Sequence, residues 1–415
     1  MLVMRNNKIL IITQYFFPEN FKSNDLAFDL QKAGYKVHVL TGIPNYPEGE
    51  YYKGYNIFQR RIETINGVKV FRSFQMPRGK NNKIKLILNY LTFAFFASIW
   101  ALFLCLFNKY RCVIVHEPSP ITQGIPAVLV KKIQKIPLYF WVLDIWPDAM
   151  KSGGGVTNQS LLSLAEKVTI FIYNNCTKIL ISSKGFKQLI MRQGNYEDKI
   201  IYYPNWSDDI LKMDDSYPIP ELPKGFKILL AGNLGKSQNL DAVMNAANEL
   251  REVKDVKWLF VGDGSRKNFI DSFISEHNLQ ETVFTYGKYP MQAMPAFYKN
   301  ANALLITLKG EFPHLKMVVP ARLQTYMASG RPIIGMISGG SADLVKEANC
   351  GFVVESGNFQ ALSTIIKDVI LTDKDTFESL GINGRKYYEE NFTKEKCIYN
   401  LIAIIESNSV GNYEN

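Results

Sequence analysis

Two turns in this sequence, AGNLGK ending at Lys236 and VGDGSR ending at Arg266, each join a short apolar run to a helical stretch. In the first, Gly232, Asn233 and Gly235 let the backbone approach a ligand closely, Lys236 supplies a cation, and the helix that follows presents free N–H groups. That combination suits a phosphate. Arg266 stands in the second turn, a common type in α/β domains. Elsewhere, Asp144 in WVLDIWPD follows an apolar run, and His116 and Glu117 close another, CVIVHE. A carboxylate whose partial burial raises its pKa can take or orient a hydroxyl proton. Each residue also has a structural reading: Lys236 as a solvated loop lysine, Asp144 as a helix cap, His116 as a satisfied core histidine.

The elements that must position these groups alternate between strands and helices. KILIIT at Lys8 is followed by a helical pattern with Leu26, Leu30 and Ala33 on one face, then by KVHVL from Lys36. A strand-helix-strand unit implies a parallel sheet. Further runs at Val68–Phe71, Cys112–His116, Leu138–Leu143 and Ile179–Ser182 make six strands of one doubly wound domain. Proline and acid cluster from Pro204 to Gly225, which reads as a linker. The alternation then restarts at Phe226–Ala231, with a helix over about 239–253 and runs at Val256–Val261, Val283–Tyr286, Ala303–Ile306, Ile333–Gly335 and Gly351–Val354. The expected division is a first domain over 1–205, a linker over 206–224, a second domain over 225–384, and a C-terminal helix over 385–415 that packs back toward the first. The glycine turns then lie at the carboxyl edge of the second sheet, where open parallel sheets bind ligands.

At 415 residues and 47% hydrophobic, the chain exceeds what one core usually supports, so two domains are expected. The five cysteines are scattered, without a CxxC pair or histidines at ligand spacing, and read as reduced, buried thiols of a cytosolic protein. No basic-apolar-small leader precedes Lys8, which argues against export. Within residues 1–210 there are 26 Lys and Arg against 14 Asp and Glu, so this half carries all of the net charge of +10 and suggests an anionic surface or substrate. Nucleic acid is disfavoured, because no basic helix, zinc pattern or aromatic RNA-binding motif accompanies the charge.

Leu86–Phe107 holds 22 residues without a charge, flanked by Lys80, Lys83, Lys85, Lys109 and Arg111. Its length would span a bilayer. The strand at Cys112 must nevertheless join the sheet already built from Lys8 and Lys36, so a crossing would split one sheet between two compartments. Two readings remain: a wholly buried helix, or a monotopic helix partly sunk in the cytoplasmic leaflet with its lysines on anionic headgroups. The basic first half favours the membrane surface.

The stretches QYFFPEN, VLTGIPNYPEG, WVLDIWPDAM, LLAGNLGKSQNLD, FVGDGSR and VPARLQTYMASGRPII, in this order, resemble family 4 glycosyltransferases across nearly the whole chain. Within these the sequence looks most like bacterial N-acetyl-L-fucosaminyltransferases of capsule and O-antigen assembly. The resemblance implies the α/β GT-B fold: two facing doubly wound Rossmann-like domains around a cleft. It implies no cofactor, a UDP-sugar donor, retention of configuration, and an undecaprenyl-pyrophosphate-linked acceptor at the cytoplasmic face of the inner membrane. Arg322 takes the basic position of the family motif and becomes, with Lys236, a candidate for the donor pyrophosphate. Uridine is expected against Gly287 and Lys288.

In the first domain the loop after the first strand carries Asn20, Phe21 and Lys22 where many relatives have paired glycines. Asn20 is a candidate ligand for sugar or acceptor there, with the Ser23/Asn24 helix start favouring phosphate. Relatives often place a histidine after the fifth strand, where this chain has Asp144. The family's two glutamates fall at Met317 and Thr325, so a carboxylate for the donor must come from elsewhere, with Glu311 and Glu347 as candidates. No DxD pair of the metal-binding type lies in a strand-end loop, and Asp214-Asp215 reads as a solvated turn in the linker. The rivals are the same fold with another nucleotide sugar, a nucleotide-sugar epimerase, and a non-catalytic lipid-bound assembly subunit.

Overall fold

The computed structural model describes residues 7–80, 82–152, 155–310 and 313–410. The chain forms two compact units, Met1–Tyr203 with Ile398–Asn415, and Pro204–Cys397.

The first unit is built on eight strands: β1 (Lys8–Ile12), β2 (Lys36–Gly42), β3 (Ile62–Ile65), β4 (Val68–Ser73), β5 (Cys112–Glu117), β6 (Leu138–Val142), β7 (Lys178–Ile181) and β8 (Ile200–Tyr202). Their order in the sheet is β3-β4-β2-β1-β5-β6-β7-β8, all parallel except the β3–β4 pair. Six of these strands are the expected runs. The other two escape sequence reading for physical reasons: β3 is an edge strand with alternate residues exposed, and β8 has three half-buried residues. The order reverses direction between β1 and β5, so the loops after these two strands diverge and leave a crevice at the carboxyl edge.

Helix α1 (Lys22–Lys32) buries Ser23, Leu26, Ala27 and Leu30. It starts at Lys22, ahead of the expected Ser23/Asn24 start, and its N-cap Phe21 makes no side-chain cap bond. The Ser23 hydroxyl donates instead to the Tyr15 carbonyl at 2.9 Å, and Asn24 accepts from the Phe17 N–H at 2.9 Å while donating to the Glu19 carbonyl at 2.8 Å. Both side chains are spent folding the loop back on its helix.

The apolar segment is helix α2 (Lys83–Phe107), the one helix among the described residues long and apolar enough to cross a membrane. It does not cross one here, since β4 before it and β5 after it lie in the same sheet. Nor is it wholly buried. Phe93, Ala94, Ala97, Ala101, Leu104 and Cys105 face the sheet and α3 (Gly124–Gln134), the small residues letting the helices approach closely. The opposite stripe is open: Leu91, Phe95, Phe103, Leu106 and Phe107 are between 54% and 81% exposed.

The second unit carries six parallel strands, β9 (Phe226–Ala231), β10 (Val256–Val261), β11 (Val283–Gly287), β12 (Ala303–Thr307), β13 (Ile333–Met336) and β14 (Gly351–Val354), in the order β11-β10-β9-β12-β13-β14. This is the doubly wound dinucleotide-fold order, with its switch point between β9 and β12. The helix expected over 239–253 is Leu240–Glu249.

Two expected boundaries shift. The segment read as a linker belongs to the second unit: Trp206 and Ile210 are buried, Met213, Ile219 and Leu222 pack on the core, and Arg385 grips Asp209 through two bonds of 2.5 and 2.8 Å. Apolar residues spaced between the prolines explain this, because they give an irregular segment enough burial to be held. The boundary placed at 384/385 falls inside the helix Lys374–Asn391, which stays with the second unit; the chain returns to the first unit at Ile398. There Glu406 accepts from Tyr35 and Arg111, each at 2.5 Å.

Candidate functional site

At the carboxyl edge of the second sheet three loops are knitted by backbone bonds. Gly232 N–H donates to Val261 O at 2.8 Å, Leu234 N–H to Asp263 O at 2.9 Å and Gly262 N–H to Gly287 O at 2.7 Å. Gly262 sits at φ +150°, where an added Cβ would fall 1.8 Å from the Gly232 carbonyl, so only glycine permits this approach. Between the loops lies a cavity of about 460 Å³, walled by Gly232, Asn233, Gly262, Asp263, Gly264, Lys288 and Tyr289, with Met291 and Met294 beneath. Its volume is that of a small-molecule site.

Arg322, in the helix Ala321–Ala328, reaches this edge from the β12 side of the switch point. Its Nη1 donates to Gln238 Oε1 at 3.0 Å, and its guanidinium lies against Gly232. Gln238 is buried and held in turn, its carbonyl accepting from the Thr307 hydroxyl. The Arg322 side chain is thus fixed by a neutral partner, which leaves its charge for a ligand. Lys236 opens a 3₁₀ turn, Lys236–Gln238, and is exposed. This turn and Asn239, at φ 50°, separate Lys236 from the helix Leu240–Glu249, whose N-terminus has no side-chain cap.

The other donor-side candidates separate. Gly287 and Lys288 stand where expected, at the end of β11 and on the cavity wall. Arg266 is occupied: it pairs with Asp241 and lies over the Phe269 ring at 3.8 Å, while its backbone N–H donates to Leu234 O. Its side chain serves the loop rather than the cavity. Thr325 shares a 2.8 Å hydrogen bond with Ser207 and a 3.2 Å bond to the Ala321 carbonyl, so the second-glutamate position ties its helix to the segment after Pro204. Glu347 is ruled out by direction. Its helix, Gly340–Glu347, starts at the carboxyl edge after β13 and runs back, leaving Glu347 at the far edge, where it accepts from Tyr387 at 2.8 Å. Glu311 lies outside the described residues.

In the first unit, Asp144 follows β6 beside Glu117 at the end of β5, and the Asp144 N–H donates to Glu117 Oε2 at 3.4 Å. Burial pushes the Asp144 carboxyl up to about 6, opposed by a hydrogen bond from Ser119. Glu117 is fully buried and raised well above the carboxylate range, first by burial and then by the Asp144 charge; its Oε1 has no partner among the described residues. Glu117 is held protonated near neutrality, whereas Asp144 is mostly ionised there, and only Asp144 keeps exposed surface. Glu117 cannot touch a substrate hydroxyl. His116 fails for the same reason: it is 1% exposed, its Nδ1 lies 3.4 Å from Thr13 Oγ1, its ring meets Trp141 edge-on, and burial drops it to about 3. It is a neutral core histidine.

Asn20 is exposed at the tip of the loop after β1. Its neighbour Glu19, which sequence reading passed over, organises the region. The buried Glu19 carboxylate accepts from the Asn45 and Tyr46 N–H groups at 2.8 and 2.7 Å, locking the loop after β1 to the loop after β2, and burial lifts it to about 7. On this frame Tyr15, Phe21 and Tyr46 pack ring to ring at 4.9 to 5.5 Å. Arg78 lies 4.8 Å over the Tyr46 ring with Nη1 3.5 Å from the Tyr15 hydroxyl, and makes no ion pair among the described residues. The signal for Arg78 was available in QMPRGK, a loop closing a strand, but nothing in the sequence distinguishes it from the surrounding cations.

Residues 214–387 match the family model described as glycosyl transferases group 1. The chain is 23% identical over 408 residues to the putative colanic acid biosynthesis glycosyl transferase WcaI of Escherichia coli, covering 90% of this chain and 92% of that protein. It is 24% identical to the capsular polysaccharide biosynthesis glycosyltransferase CapM of Staphylococcus aureus, over 70% of this chain and 75% of that one. Among solved structures, sucrose-phosphate synthase from Thermosynechococcus elongatus superposes with a TM-score of 0.72 at 16% identity, covering 98% of this chain and all of that one. Anabaena HepE in complex with UDP does so at 0.68 and 14%, covering 96% and 100%. Residues 214–387 thus resemble the group 1 glycosyl transferases, and the chain as a whole has the GT-B fold, two α/β units each built on a mostly parallel sheet.

Proposed function

We propose that this protein is a glycosyltransferase of surface-polysaccharide assembly, moving a sugar from a UDP donor to an undecaprenyl-pyrophosphate-linked acceptor at the cytoplasmic face of the inner membrane. Within that class the motif resemblance favours an N-acetyl-deoxyhexosamine such as N-acetyl-L-fucosamine. The observation that carries the reading is Arg322, fixed by Gln238 against Gly232 beside a glycine-walled cavity. The names of WcaI and CapM support the polysaccharide context, and the UDP bound by HepE supports the donor class.

In the proposed reaction the acceptor hydroxyl oxygen bonds to the donor's anomeric carbon as the bond from that carbon to the diphosphate oxygen breaks. UDP leaves with the electron pair, and the anomeric configuration is retained. Arg322 and Lys236 neutralise the departing diphosphate in place of a metal ion. Asp144 takes the hydroxyl proton or orients it, and its carboxyl is suited to that exchange by a pKa near 6. Arg78 holds an anionic group of the acceptor. The exposed stripe of α2, flanked by Lys80, Lys83, Lys85 and Lys109, rests on the membrane that carries the acceptor.

Incubating the purified protein with short-chain polyprenyl-pyrophosphate sugars and UDP-N-acetylfucosamine, UDP-N-acetylglucosamine or GDP-mannose tests this reading. Acceptor-dependent consumption of a UDP-sugar is expected. Conversion of the sugar without acceptor would replace the reading by an epimerase, and UDP binding without consumption of any donor would replace it by a non-catalytic subunit.

A further inference from the structure

The first unit holds a second cavity, distant from the groups assigned above. About 610 Å³ lies between the C-terminal half of α2 and the β3–β4 edge, with Phe71, Ile99, Trp100, Phe103 and Phe107 among its walls. It opens beside the exposed stripe of α2, since Phe103 and Phe107 belong to both and the lining Ile99 is exposed as well. Its walls are almost wholly apolar, yet its rim is basic. Lys69 borders it, and Lys8 reaches it through a 2.8 Å bond from Nζ to Oδ1 of the bordering Asn108.

The registers Lys8 with Lys36 and His38 with Lys69 put these side chains on one face of the sheet. Lys36 and Lys69 form no ion pair with a carboxylate among the described residues. The cations act on one another: Lys8 is lowered by burial and then by Lys36 and Lys69, and His38 falls to about 4 through burial, Lys8 and Lys69. Like charges gathered at the mouth of an apolar groove call for an amphiphile with an anionic head.

We propose that this groove binds a membrane phospholipid, one acyl chain lying between α2 and the β3–β4 edge and its anionic head on Lys69, Lys8 and Lys36. The proposal rests on the membrane-surface part of the preceding reading, and the lipid it names is not the acceptor. Lys8 and Lys36 begin their strands, whereas Asp144 follows the end of β6, so about 15 Å of strand separates the head from the carboxyl edge. A lipid seated here sets how the first unit meets the leaflet while the carboxyl edge stays open for the acceptor.

Trp100 reports on the groove, because the other four tryptophans are buried. The full chain is titrated with a phosphatidylglycerol carrying brominated short chains, below its micelle concentration, with the phosphatidylcholine analogue as control. Saturable quenching by the glycerol lipid is expected, with at least tenfold weaker quenching by the choline lipid and none in Trp100→Phe. Lys69→Glu and Phe107→Ser, both on the exposed rim, each weaken binding at least tenfold, while Lys53→Glu, the same charge change elsewhere on this unit, leaves it unchanged. Equal quenching by both headgroups, equal loss in Lys53→Glu, or no quenching would overturn the proposal. So would displacement of the brominated lipid by farnesyl phosphate more readily than by phosphatidylglycerol, which would give the groove to the isoprenoid carrier. No donor or acceptor sugar is present, so lipid binding with no sugar transfer would remove the transferase reading alone, and transfer with no lipid binding would remove this one alone.

Discussion

Arg322 lies so close over Gly232 that a Cβ built on the glycine would stand 2.8 Å from Nη2 of the arginine. The glycine turn and the helix Ala321–Ala328 thus form one device, in which the absence of a side chain at 232 sets where the charge at 322 rests. Gly232→Ala is expected to displace the guanidinium and, at φ +123°, to strain the turn, lowering donor kcat/KM about tenfold or more with a stability loss of about 1–3 kcal/mol. Arg322→Ala should lower kcat/KM roughly 100-fold with little change in Tm, and Arg322→Lys should restore only part because a point-like ammonium lacks the planar fork that spans Gln238 and a diphosphate. Equal proportional losses of activity and stability in Arg322→Ala would assign the residue to structure. Kinetics with the donor varied, beside thermal melts, decide this.

The Asp144 carboxyl binds its proton more tightly in the folded protein than in the unfolded chain. Its contribution therefore favours folding at low pH and is lost as pH rises from about 4 toward 6, a difference of roughly 2–3 kcal/mol. Asp144→Asn should flatten the pH dependence of stability over that window and raise Tm at pH 8 relative to the wild type, while leaving pH 4 nearly unchanged. If Asp144 takes the acceptor's proton, the same variant loses turnover, and the wild-type rate falls below about pH 6. Melts and rates across pH 4–9 measure both.

The two sides of α2 should answer differently to substitution. Phe93 is buried, so Phe93→Ala should cost about 3–5 kcal/mol. Phe95, Phe103 and Phe107 are exposed, and replacing all three by serine should leave Tm within a few degrees but abolish sedimentation with vesicles containing anionic lipid. Retained sedimentation in the triple variant would place membrane contact elsewhere.

If Arg78 holds the acceptor, as proposed, Arg78→Ala should raise the acceptor KM about tenfold or more while leaving the donor KM within about twofold. A rise in the donor KM instead would move Arg78 to the other substrate.

Much of this protein can be read along the chain. The six strands of the second unit stand out because a parallel sheet covered on both faces writes each strand as a mostly apolar run, and the glycine turns at Gly232 and Gly262 mark its carboxyl edge. The excess positive charge of residues 1–210 and the uncharged run of α2 also belong to composition alone. What composition could not decide is which side of α2 faces inward, since nearly every position is apolar; the fit of Ala94, Ala97 and Ala101 against α3 settles it.

The polar groups depended on tertiary structure throughout. Arg322 acquires its meaning from Gln238, 84 positions earlier, and Glu19 from backbone N–H groups at Asn45 and Tyr46. His116 and Glu117, adjacent in sequence to a promising strand end, lose theirs because the sheet closes over them. A polar side chain's role follows from the solvent it loses and the partners it meets, and both are properties of the packed chain; an apolar run announces its burial by itself.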